Sequence, residues 1–169
     1  ESMYWLTGYD TFGYVFFQTL ILDQKGDIIL LTRAPDLRQA QNTSIIRDIR
    51  IWVDKDRSNP TIDLIAILDE MKLKGKKIGV EYEAYGMTGR NALRLNKSLE
   101  NYCEVEDQSE LITKHRVIKS SEEIVYIKKA AELADEALDE AWKYTKAGAS
   151  EAKILAEMQK VVFEGGGDY

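Results

Sequence analysis

The sequence predicts an α/β layered domain followed by a pair of helices. Two observations carry this reading. Up to about His115, short runs of branched and aromatic residues alternate with stretches whose apolar residues recur at helical spacing. From Val117 onward the strand signals stop, and apolar residues three and four apart continue alone.

The elements follow in order. Tyr14 to Leu22, YVFFQTLIL, is apolar on both faces and reads as a buried central strand. DQKGD is a turn pivoting on Gly26, and Ile28 to Thr32 is the hairpin partner. APDLRQAQ suits a short helix with Pro35 in its first turn. IRIWV, Ile49 to Val53, is a third strand. In SNPTIDLIAILDEMKLKG, Pro60 marks a helix start and Gly75 lies past its end. Its stripe is Ile62, Ile65, Leu68 and Met71, widened by Leu64 and Ile67. Strand KIGVE, helix TGRNALRLNKSLE and strand YCEVE follow. In DQSELITKHR, Asp107 and Glu110 have the spacing of a capping box.

The helical part opens with Ser120 and Glu123 as a second capping box. Ile124, Ile127, Ala131, Ala134, Leu138, Ala141 and Thr145 line one face of a helix about seven turns long. Gly148 can end it. A second amphipathic helix, capped at Ser150, carries Ile154, Leu155, Met158, Val161 and Val162. Helices with such faces need cover: the α/β unit, a partner, or a further domain.

Composition excludes several classes of function. With 169 residues, 44% hydrophobic and 31% charged, the chain can bury a core without staples. A net charge of −6 argues against nucleic acid or an anionic membrane as partner. The lysines at 72, 74, 76 and 77 read as a solvated helix end. Cys103, the single cysteine, excludes an internal disulfide, fits a reducing compartment and reads as a half-buried strand thiol. His115 is the single histidine and stands in no cluster with metal-ligand spacing, so a surface or hinge role is expected. Glu122 and Glu123, or Asp135 and Glu136, are sequence neighbours on a helix and do not face each other, so they make poor acid–base pairs. No apolar run reaches membrane-spanning length. The chain lacks an initiator Met and closes in FEGGGDY, a glycine turn after a helix; continuation beyond Tyr169 is expected.

Three segments then point to a family. MYWLTGY before an apolar strand resembles the N-x-x-Y-L-T-G-F segment of the creatinase/prolidase N-terminal domain. RVIKSSEEIVYIKKAAELADEAL resembles the R-x-x-K-S-x-x-E-I-x-x-I-R-x-A run at the entrance to that family's catalytic domain, and KAGASEAKILAEMQKVVFEGGG resembles the segment after it. LTGYD followed by Gln18, together with GGGDY, is most similar to the ectoine-hydrolase-like branch.

The resemblance implies a mixed-sheet creatinase/prolidase N-terminal domain over residues 1–116, with helices on both faces and lacking the family's first helix and strand. The sheet should then show an unpaired edge or a gap where that first strand would lie. Residues 117–169 would be a linker and the first two helices of an incomplete α+β pita-bread domain. Relatives of this kind are Xaa-Pro aminopeptidases, Xaa-Pro dipeptidases, creatinases and ectoine hydrolases. The implied parent is a metallohydrolase cleaving an amide bond in a Xaa-Pro peptide or an ectoine-like substrate. Two divalent metals (Mn, Co or Zn) would be held by two Asp, one His and two Glu downstream of Tyr169. This chain would then contribute no catalytic residue and no metal ligand, and would be inactive alone.

Its own role would be dimerisation and control of substrate access, in a cytoplasmic homodimer acting on small peptides or amides. Creatinases lend an aromatic and an arginine from the neighbour's N-terminal domain. Here Phe12 stands for the aromatic, and Tyr14 falls where the arginine would be. Tyr9, Phe12, Tyr14 and Arg33 are the candidate substrate-binding residues, with Arg38 as a further basic candidate. The competing reading places Tyr9, Phe12 and Tyr14 in core or dimer packing, and Arg33 in a surface ion pair. A non-enzymatic protein-interaction module on the same fold is the alternative function.

Overall fold

The computed structural model describes residues 1–168. Backbone contacts divide the chain into two compact units, residues 1–115 and Arg116 onward, and each is described by itself.

The first unit is built on a mixed three-stranded sheet. Strand β1 (Thr19–Leu22) pairs antiparallel with β2 (Ile28–Arg33), and β2 pairs parallel with β3 (Asp48–Trp52). The hairpin turns at Gly26, whose φ of +88° suits glycine. Asp23 fixes it by accepting from the amides of Lys25 and Asp27 at 2.8 and 2.9 Å. A parallel two-stranded sheet joins β4 (Lys77–Val80) to β5 (Glu104–Asp107).

Alternation along β2 divides the core between the two sheet faces. Leu30 packs with Tyr9, Ala40 and Ile46, against Met3 of helix α1 (Ser2–Thr7) and beside α2 (Leu37–Thr43). Ile29 and Leu31 pack on the other face with Leu64, Ile67 and Leu68 of α3 (Pro60–Glu70) and with Leu95 and Leu99 of α4 (Gly89–Leu99). Each such aliphatic side chain contributes about 1.5–3 kcal/mol on full burial. Helices therefore cover both faces, as expected. Helix α3 starts at Asn59, whose Oδ1 accepts from the amide and hydroxyl of Thr61 at 3.4 and 2.9 Å. The Thr61 hydroxyl also shares a 2.7 Å hydrogen bond with Ser98, tying α3 to α4.

Several expectations are corrected. Tyr14 to Leu22 is not one buried central strand. Gly13–Val15 form a 3₁₀ turn, only Thr19–Leu22 are strand, and β1 is an edge; β2 is the central strand. The cause is local: the Thr11 hydroxyl accepts from the Gly13 amide at 2.7 Å and closes the chain into a turn. Helix α1 precedes it, in a segment whose sequence carries no helical expectation. Ile62, which the spacing places in the buried stripe of α3, is 69% exposed. Asp107 and Glu110 form no capping box: the Asp107 carboxylate accepts from the Ser109 amide and hydroxyl at 3.0 and 2.5 Å, and α5 starts at Leu111 (Leu111–Val117).

The second unit pairs α6 (Ser121–Tyr144) with α7 (Glu151–Glu164). The Ser120–Glu123 capping box is present in both directions, at 3.2 and 2.7 Å. Thr145 caps α6 rather than continuing its face. The α6 stripe is corrected: the face packed on α7 carries Leu133 and Ala137, while Ile124, Ile127, Ala131, Ala134 and Leu138 stay exposed; in α7, Ile154, Met158, Val161 and Val162 are half-buried and Leu155 is exposed.

Candidate substrate-access surface

The candidate residues separate into two environments. Tyr9 is 2% exposed and belongs to the core with Leu30 and Ala40. Its hydroxyl shares a 3.2 Å hydrogen bond with Thr32, which donates in turn to Gln18 at 3.4 Å. Phe12, Tyr14 and Arg33 lie at or next to the surface, because the 3₁₀ turn lifts residues 12–16 out of the sheet. Phe12, Tyr14, Val15 and Phe16 all expose apolar area there. Tyr14 meets Tyr85 edge to face, with ring centroids 6.2 Å apart. Tyr85 itself is 95% exposed.

Arg33 ends β2 on the face of Ile29 and Leu31. Its guanidinium stacks on Phe16, with Cζ 3.4 Å from the ring centroid. Nε faces Asp36 Oδ2 at 3.4 Å, and NH1 lies 4.0 Å from Asp54. Arg33 Nε and Asp36 Oδ2 are both buried and make no hydrogen bond among the described residues, so the contact is an ion pair only. Two carboxylates thus surround one guanidinium. That leaves a local excess of negative charge, and Arg33 is ill placed to clamp a further carboxylate.

Two glycines hold this surface. A Cβ on Gly13 would fall 2.9 Å from the Asp36 carboxylate, and one on Gly86 would fall 2.2 Å from the Tyr14 carbonyl oxygen. The 3₁₀ turn therefore seats against both the Arg33–Asp36 corner and the loop carrying Tyr85. The sequence reading missed Phe16, Asp36, Asp54 and Tyr85. Phe16 was absorbed into an apolar run, and Tyr85 lies in a loop with no periodic signal.

Arg38, the other basic candidate, lies in the first turn of α2. Among the described residues, no group of three or more His, Cys, Asp or Glu is placed to hold a metal ion. No described helix is long and apolar enough to cross a membrane.

The first unit is a mixed sheet covered by helices on both faces, and a long capped helix follows it in sequence from Ser121. The Creatinase/Prolidase N-terminal domain matches residues 1–118, and the chain belongs to that family. An uncharacterized hydrolase/peptidase of Sinorhizobium fredii is 27% identical over 98% of the chain and 44% of its own length. The ectoine hydrolase of Halomonas elongata is 25% identical over 100% of the chain and 46% of its own length. Among solved structures, an X-Pro aminopeptidase from Thermotoga maritima superposes with a TM-score of 0.71 at 19% identity, over 97% of this chain and 43% of that one. A dipeptidase from Pyrococcus horikoshii gives 0.68 at 24% identity, over 96% and 43%. These structures share the fold across both units of the chain. The chain spans less than half the length of the curated relatives it matches.

Proposed function

We infer that this chain is the N-terminal portion of an amide-bond hydrolase, acting on Xaa-Pro peptides or ectoine-like cyclic amides. Its part is to shape access to the active site and to support a homodimer. The observation that carries the reading is the exposed aromatic surface of Phe12, Tyr14, Phe16 and Tyr85, built around an Arg33 held between Asp36 and Asp54. A wall of this kind selects by shape and apolar contact.

Among the described residues, no three or more His, Cys, Asp or Glu are grouped to hold a metal ion. A divalent metal in the whole protein would be held by residues outside 1–168, where it would supply activated water and charge stabilisation.

The test uses the product of the complete reading frame. Xaa-Pro dipeptides, longer Xaa-Pro peptides and ectoine are assayed with Mn²⁺, Co²⁺ or Zn²⁺. Hydrolysis of one class is expected, with Phe12→Ala and Tyr14→Ala raising KM more than they lower kcat. Absence of hydrolysis by a folded, metal-loaded protein would overturn the reading in favour of a non-enzymatic interaction module.

A further inference from the structure

The parallel β4–β5 pair leaves one side of β5 open. The amides of Glu104 and Gln108 donate to the carbonyls of Lys76 and Val80 at 3.0 and 2.9 Å, so the even-numbered residues of β5 face β4. By alternation, the backbone groups of Val105 and Asp107 point the other way. No strand among the described residues pairs with that second edge. Beside it runs α4, and between the two lies an open cleft of about 820 Å³. Leu93, Leu99, Cys103 and Val105 give it apolar lining, with Asn96, Lys97 and Glu100 along the α4 side.

The two faces of β5 differ in chemistry. Val105 turns inward to the core, together with Ile78 and Val80 of β4, and Asp107 ends the same face at the cleft with its carboxylate taken up by Ser109. Glu104 and Glu106 turn to the opposite face, where Lys77 meets them at 3.9 and 2.9 Å. One lysine between two glutamates leaves a net negative edge. A second copy of this chain would bring the same glutamates against it, and like charges across a strand pair are unfavourable.

We propose that β5 accepts an added strand: an extended segment of a partner protein that alternates apolar and basic residues. Main-chain bonds to Val105 and Asp107 would hold it. Its apolar side chains would enter the cleft against Leu93 and Val105, and its lysines or arginines would meet Glu104 and Glu106. The inference is independent of the hydrolase reading.

The test uses the full chain and a fluorescein-labelled seven-residue peptide alternating Lys and Val. Its control is the same peptide N-methylated at alternate amides, which blocks strand addition. Binding is expected by anisotropy, weakened about tenfold or more by N-methylation through loss of two or so hydrogen bonds. Amide exchange of Val105 and Asp107 should slow on binding, with no change at Glu106. Leu93→Asp and the Glu104→Lys/Glu106→Lys pair change exposed positions and should each weaken binding without unfolding the chain. Equal binding of both peptides without protection at Val105 would mean charge attraction only, and would overturn the proposal. So would no binding, in which case the glutamates merely guard an edge. Protection that rises with protein concentration alone would assign the edge to a second copy.

Discussion

Arg33 lies flat on Phe16, 3.4 Å from the ring centroid, with its Nε turned into the Asp36 carboxylate. The side chains of Arg33 and Asp36 are 19% and 13% exposed, so neither charge is well hydrated. Removing the guanidinium leaves Asp36 buried without its counter-charge. Arg33→Ala is expected to cost about 2–3 kcal/mol, read as a lower urea midpoint. Arg33→Lys should recover less than half of that, because an ammonium cannot stack as a plane. Wild-type midpoints for both variants would show that this corner does not hold the fold.

Gly86 tests how the aromatic surface is assembled. Its Cα passes so close to the Tyr14 carbonyl that a methyl group would fall 2.2 Å from the oxygen. The obstacle is backbone, so it cannot rotate away. Gly86→Ala should cost about 1–3 kcal/mol and separate Tyr14 from Tyr85. Near-UV circular dichroism should lose aromatic signal while the far-UV spectrum is kept. An unchanged near-UV spectrum would mean that the two segments are not docked.

Much of this fold was legible because it rests on periodicity. The hairpin around Gly26, the helix after Pro60 and the capping box at Ser120 each follow from local chemistry. The Tyr14–Leu22 run misled because apolar content marks burial and says nothing of which residues turn. Thr11 decides that, by capturing the Gly13 amide two residues on. Asp107 misled similarly: two acceptors three residues apart fit a capping box, but Ser109 offers both an amide and a hydroxyl closer by. The surface around Arg33 was the least legible part. Phe16, Asp36, Asp54 and Tyr85 come from four separate segments, and only tertiary structure brings them together.

The Ser120–Glu123 box is local, and its contribution can be isolated. Ser120 Oγ accepts from the Glu123 amide, and the Glu123 carboxylate accepts from the Ser120 amide. Ser120→Ala should cost about 1 kcal/mol and fray the first turn of α6. Ser120→Asp should cost little, since Asp caps as well. Amide exchange at Glu122 and Glu123 is the direct readout. Equal exchange in wild type and Ser120→Ala would show that α6 is held by packing alone.

Tyr102 gives the chain a pH dependence with a definite sign. Its hydroxyl donates to Asp69 at 2.8 Å, bridging the β5 approach to α3. Burial first, and then the bond to the Asp69 carboxylate, push the phenol from its ordinary 10.0 up to about 12. The folded chain therefore holds this proton more tightly than the unfolded one. Below pH 10.0 both states are protonated and the contribution is complete. Between there and about 12 the unfolded chain releases the proton first, so stability falls as pH rises. Urea unfolding of wild type and Tyr102→Phe should show a constant gap up to the lower limit and a shrinking one above it. A gap that stays constant through the whole window would mean that the hydroxyl titrates as in an unfolded chain and that the Asp69 bond is not made in solution.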